Sequence, residues 1–259
     1  MHWLDYPIFV AIFFTMVSIL RKELKAFFSS IVGYVAILVF LVVVGFFMWI
    51  SPDSNMLDYG YATMDKFFDL APWILLFLIP AITMRSFSEE YRSGTIELLF
   101  TLPLREREII LGKFFACLTI VVIAILPTLL YVFSISRLSI IANNIDIGGT
   151  IGSYIGLLFL CSAFTAIGLF ASTLSNNQVV AFIAAVLLNF VVFVGFETLS
   201  HFKQFENGWD YIISQIGMEF HYKSISRGLI DTRDLVYFIS VSAIFILAAK
   251  LSLNKRKWA

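Results

Sequence analysis

Covalent chemistry has few candidate carriers in this sequence, and their spacing does not serve it. Gly112-Lys113 resembles the end of a phosphate-cradling loop. The upstream glycine of GxxxxGK[ST] is missing, so no such loop is present. Neither HExxH nor GxSxG occurs, which removes the common zinc- and serine-hydrolase signatures. His201 and His221 lie 20 residues apart, which is not a metal-ligand spacing. Cys117 and Cys161 sit 44 residues apart in apolar runs and lack CxxC spacing. They read as small buried hydrophobes.

The more informative side chains are arranged for non-covalent work. Residues 85–113 read RSFSEEYRSGTIELLFTLPLREREIILGK. Ser93-Gly94-Thr95 suits a helix start, and Glu97 then stands near the positive end of the helix dipole. Ile96, Leu98, Leu99 and Leu102 give that short helix an apolar surface. Pro103 ends it, because the residue before a proline is pushed out of helical geometry. Arg105-Glu106-Arg107-Glu108 opens the next helix. The stretch reads as an ordered, charged hairpin, and such connections more often bind something. Upstream, residues 18–28 form an amphipathic helix. Leu20, Leu24, Phe27 and Phe28 share one face, and Arg21, Lys22 and Lys25 the other. It serves either as an interfacial anchor on anionic lipid or as an elbow touching a cytoplasmic partner.

These residues need a frame, and the composition supplies it. Of 259 residues, 60% are apolar and 14% charged, with a mean hydropathy of +0.91. Soluble domains sit near ~45–50% apolar and ~25% charged. An ordinary soluble enzyme, a disordered chain and a disulfide-stapled secreted domain are thereby excluded. Lys+Arg and Asp+Glu both number 18, so no charge excess points to nucleic acid.

Six runs are long and apolar enough to span a ~30 Å hydrocarbon core as helices. They cover residues 31–50, 67–84, 114–136, 151–174, 179–196 and 235–253. None alternates at period two, so a β-barrel is not expected. The predicted fold is an all-α integral membrane protein. Of the lysines and arginines, 12 fall on the side holding residues 21–25, 85–113 and 250–257, and 6 on the other. Both termini are therefore expected inside. Residues 175–178 make a tight inner turn, and 200–234 a long outer segment with one or two interfacial or re-entrant helices. Pro7–Leu20 is apolar but only 14 residues long. Residues 1–15 are read as a start-site extension or interfacial lead-in, and 16–259 as the transmembrane domain.

Within the spans, Asn189 is the one amide at core depth, available as helix glue or as part of a pathway. Gly152 and Gly156 frame a small-residue face, for packing within the chain or against a second one. Asp69 and Glu197 sit at membrane ends rather than at depth, which argues against ion-coupled transport.

The segment EEYRSGTIELLFTLPLREREIILGK (89–113) resembles the cytoplasmic loop of ABC-2-type ABC-transporter permeases. FASTLSNNQVVA (170–181) and SISRGLIDTRDLVYF (224–238) resemble two further stretches of that family. Together with LRKELKAFFSSIVGY (20–34), they look like the gliding-motility-associated permeases. Permeases of the nitrous-oxide-reductase maturation type look similar. The resemblance covers roughly residues 16–259.

It implies six spans that pair with a second permease chain, identical or not, above two ABC ATPase subunits. The permease itself would not be an enzyme and would hold no cofactor; ATP and magnesium would be bound by the ATPase partner. Arg21, Lys22 and Glu23 match the elbow, and Glu90, Gly94, Thr95, Glu97 and Pro103 the coupling loop. Spans two and five would face the partner and the path, with Pro72, Pro80 and Asn189 near it. The expected location is the bacterial inner membrane, in contact with lipid, with an extracytoplasmic auxiliary protein in the gliding-type system. An alternative use of the same parts is mechanotransmission to an outer partner without moving a solute.

Overall fold

The structure is a computed structural model that describes residues 8–52, 55–56, 62–101, 105–139, 145–202, 209–228 and 231–257. The described residues are helical, with no strand among them. In chain order the helices are α1 (Ile8–Phe28), α2 (Ile31–Trp49), α3 (Asp65–Thr83), α4 (Arg85–Arg92), α5 (Thr95–Thr101), α6 (Glu106–Ile125) and α7 (Leu129–Leu138). Then come α8 (Ile147–Leu174), α9 (Gln178–Phe190), α10 (Phe196–Ser200), α11 (Trp209–Ser214), α12 (Met218–Ile225) and α13 (Thr232–Lys257). Six helical stretches are long and apolar enough to cross a membrane, as expected.

Their bounds run past the charge-free windows. The second stretch is helical from Asp65 to Arg92 and the third from Glu106 to Leu138. Most of the expected inner hairpin is thus an extension of two spans. The physical reason is that charge ends membrane solubility but not helix propensity, and Glu, Arg and Lys are good helix formers. The elbow helix also begins earlier than residue 18. Residues 8–17 contain no Gly or Pro to stop it, so α1 runs from Ile8. Residues 1–7 and Pro103 lie outside the described residues.

α8 is the central post, with 72% of its span window buried inside the chain. Small residues let neighbours come close. A Cβ on Gly152 would stand 2.9 Å from the Gly228 carbonyl oxygen, and one on Gly156 would stand 2.5 Å from Ile225 Cγ2. The GxxxG face is therefore used within the chain. By contrast α2 buries only a stripe of Gly33, Phe40, Val44 and Met48. Ile31, Val35, Leu38 and Val42 face outward.

Two departures from regular helix mark the spans. Leu126–Thr128 is a 3₁₀ turn around Pro127, where the missing N–H interrupts the ladder. Val191–Gly195 is a π-turn between α9 and α10. Pro72 and Pro80 are both buried inside α3. Pro72 cannot donate to the carbonyl of Phe68. Tyr222 of α12 supplies the missing donor, its hydroxyl 2.7 Å from that oxygen. Burial pushes the Tyr222 hydroxyl well above its usual titration range, so it remains a donor. Within residues 200–234, expected as an outer segment, the described residues include two short helices, α11 and α12.

Candidate coupling site

Three helices converge at the end of the bundle that carries α1, α4 and the start of α6. Lys113 lies one turn inside the apolar part of α6 and is 1% exposed. A bare ammonium at such a site is costly, so its three protons need acceptors. Three acceptors surround it. Glu23 Oε1 of α1 is 2.7 Å away, the Ser86 carbonyl of α4 is 2.7 Å away, and Glu90 Oε1 of α4 is 2.9 Å away. The Phe87 ring lies 5.0 Å from the same nitrogen, close enough for a cation–π contribution.

Lys22 adds a second cation, 3.3 Å from Glu90 Oε1. The cluster then holds two lysines and two glutamates and is neutral as a group. Lys22 is mostly exposed, so its pairing is worth little. The Lys113 pairs are shielded from water on both sides. Removing one partner there strands a charge, which is the expensive event. Glu90 Oε2 is buried and has no hydrogen-bond partner.

Apolar packing surrounds this knot. Ile19 of α1, Phe87 of α4, Ile96 of α5, Ile109, Ile110 and Phe114 of α6, and Leu253 of α13 form one cluster. Gly112 admits α1 at close range, because a Cβ there would stand 2.9 Å from Ile19 Cβ. The elbow is thus packed and ion-paired onto the base of spans two and three.

The α4–α5 corner is built from local chemistry. Gly94 adopts φ +71°, a region that an L side chain enters at a cost of ~1–2 kcal/mol. Among the described residues no atom lies within 4 Å of a Cβ built there, so the backbone alone asks for glycine. Ser93 Oγ donates to the Glu89 carbonyl at 2.8 Å and lies 2.9 Å from Thr95 Oγ1. The Glu89 carbonyl also accepts the Ser93 N–H at 2.9 Å, so the hydroxyl adds a second bond at the helix end. Ile96 is buried, whereas Leu98 is 67% exposed and Glu97 is exposed beside it. The corner presents that face outward.

Of the residues expected to act in coupling, Glu23 and Glu90 meet on Lys113, and Lys22 joins them. Gly94, Thr95 and Glu97 form the corner beyond. Arg21 is exposed on α1 and has no side-chain contact with the cluster among the described residues. Pro72, Pro80 and Asn189 are buried elsewhere, in α3 and α9. Asn189 is fully buried, and neither its Nδ2 nor its Oδ1 has a partner among the described residues. Sequence reasoning missed Lys113. Its signal was a lysine at the edge of a charge-free run, where an intramembrane cation marks function by default.

His221 is not paired with His201. Its Nδ1 lies 2.7 Å from Asp234 Oδ1 and its Nε2 lies 2.8 Å from the Gln215 carbonyl. His201 Nε2 stands 3.9 Å from Glu197.

A family model for ABC-2 family transporter proteins matches residues 53–254 of the chain. No curated protein matches it.

Proposed function

The chain belongs to the ABC-2 family of transporter proteins and is a membrane permease subunit of an ABC transporter; we propose that a separate ATPase subunit drives it through the α4–α5 corner and the Lys113 cluster. The observation that carries this reading is the buried bond from Lys113 to Glu23 and Glu90. It ties the elbow, the base of span two and the base of span three into one body. A push on α5 would reach α4 across the Gly94 corner. Through Lys113 the same push would turn α6 and α1 together rather than bend a single helix.

On this reading both termini are cytoplasmic, the membrane is the bacterial inner membrane, and α5 meets the ATPase. ATP and magnesium belong to that partner. A second permease chain, identical or homologous, would cover the outward apolar faces of spans two and five, α3 and α9, such as Trp73, Phe77, Ile183 and Leu187. The resemblance described above favours the gliding-motility-associated type. The outer helices α11 and α12 favour a second use, in which the stroke acts on an extracytoplasmic partner and no solute crosses.

The test is to purify the native complex in mild detergent and identify its subunits by mass spectrometry. A stoichiometric P-loop ATPase is expected. Glu97→Arg and Gly94→Pro should then abolish ATP-dependent function and leave membrane insertion intact. Function that survives both changes overturns the coupling assignment. An ATPase rate that depends on a solute would remove the purely mechanical use.

A further inference from the structure

We propose that His221 and Asp234 form a proton-operated latch that fastens the outer helices to the last membrane span. The argument is one of proton counting. Both ring nitrogens of His221 face oxygens, Asp234 Oδ1 at 2.7 Å and the Gln215 carbonyl at 2.8 Å. A carbonyl only accepts, and an ionised carboxylate only accepts. A neutral imidazole has one N–H and can serve only one of them. Making both bonds requires two protons shared over the pair. They sit either as an imidazolium beside a carboxylate, or as an imidazole N–H beside a carboxylic acid. Each arrangement holds one proton more than neutral histidine beside ionised aspartate. The fastened state therefore binds a proton that the released state gives up.

The surroundings make that proton matter. The His221 side chain is 13% exposed and that of Asp234 is 7% exposed, so water does not easily replace the bond between them, whereas the Gln215 carbonyl lies at the exposed edge of the pair. Tyr237 of α13 stacks on the imidazole at 3.9 Å between ring centroids, and its hydroxyl bonds the Ile216 carbonyl. One ring thus links the α11–α12 turn, α12 and the first turns of α13. Among the described residues, the titratable side chains facing His221 are Asp234 and Tyr237, both from α13, and Glu197 of α10 stands 4.0 Å from Lys223. On its own helix, Lys223 and Glu219 pair with each other at 2.8 Å. The π-turn against α12 has no titratable residue. The face of α8 there offers Gly156 and Ser153, with Cys161 deeper beside Tyr222. Among the described residues, no lysine or arginine pairs with Asp234.

The sign follows directly. The latch is fastened at low pH and loosens as pH rises, by at most tenfold in its equilibrium constant per pH unit for one proton. Placed on the outer side by the orientation proposed above, the pair would report extracytoplasmic acidity to the last span. The measurements below do not depend on that orientation.

The first measurement is 15N NMR of the histidine-labelled full chain in detergent, where only His2, His201 and His221 contribute. At the acid end of the range in which the chain stays folded, His221 should show both nitrogens engaged with protons. A resonance with one bare nitrogen throughout that range overturns the proposal, and it needs no variant. The second is amide exchange of Met218–Ile225, corrected for the chemical rate. Protection should fall by up to about tenfold per pH unit above the transition. His221→Gln should abolish that slope and His201→Gln should keep it. A slope that persists in His221→Gln also overturns the latch.

Discussion

The ammonium of Lys113 lies 2.7 Å from the carboxylate of Glu23, across a sequence separation of 90 residues. No local pattern encodes such a contact. It exists because Gly112 lets α1 approach α6 and because Lys113 has nowhere else to place its charge. Replacing Lys113 by Met should strand Glu23 and Glu90 and destabilise the chain by about 3 kcal/mol. Lys22→Met should change stability within about 1 kcal/mol, because Lys22 is largely solvated. Thermal melts in detergent check the contrast. Adding Glu23→Gln and Glu90→Gln to Lys113→Met should restore most of the stability and leave coupling lost.

At Gly94 the strain is in the backbone alone, with φ +71° and open space around it. Gly94→Ala should therefore weaken the corner by ~1 kcal/mol or slightly more. Gly94→Asn should cost less, because asparagine tolerates left-handed geometry. ATP-dependent activity of the reconstituted complex should rank glycine above asparagine above alanine. Equal activity of all three would remove any role for the corner's shape.

Asn189 carries two buried polar groups with no partners among the described residues. Asn189→Leu replaces them with apolar atoms of similar volume and should raise stability by ~1–3 kcal/mol. A rise in melting temperature with loss of transport would place Asn189 on the path. A rise without loss would leave it off the path. A fall would mean that the amide is satisfied in the native bundle.

Tyr222 and Pro72 form a testable pair. Tyr222→Phe leaves the Phe68 carbonyl without its donor and should cost ~1–2 kcal/mol. In a Pro72→Ala background the restored N–H can reach that carbonyl, so the same change should cost much less. A double-mutant cycle on melting temperature reads the difference. Burial keeps the phenol protonated, so its own titration should not change that contribution between pH 6 and 9.

Two glycines of α8 should respond differently to alanine. At Gly152 the obstacle is the Gly228 backbone, whereas at Gly156 it is Ile225, whose Cγ2 can rotate away but whose Cβ, 2.9 Å off, moves only with its own backbone. Gly152→Ala should be the more destabilising, in the ~1–3 kcal/mol range of overpacked sites. Melting curves of both variants test the order.

The spans were legible because lipid forbids charge over ~20 residues, and a charge-free run is visible in any sequence. Their ends were less so. Arg85, Glu89 and Arg92 stop hydropathy but not helix formation, so α4 continues where a loop was read. The corner at Gly94 was visible because glycine at a helix junction has a specific backbone meaning. Lys113 was counted among the cations that set orientation, and nothing local paired it with Glu23. His221 drew notice beside His201, but its partner is Asp234, which the fold brings from the next helix. The polar contacts that cross helices are the part that required the fold.

Helical continuity from Asp65 to Arg92 has a geometric consequence. These 28 residues form a rod of about 42 Å, against a hydrocarbon core of ~30 Å. Measured from Pro80, the arm to Arg92 is about 18 Å long. A tilt of roughly 10° about that proline would carry the tip about 3 Å, half a helical turn. Pro72 and Pro80 are thus fulcrum candidates on a lever that the chain builds from a single stretch. Small angular play within the bilayer becomes ångström-scale travel outside it, and travel imposed on the tip becomes small, forceful rotation within.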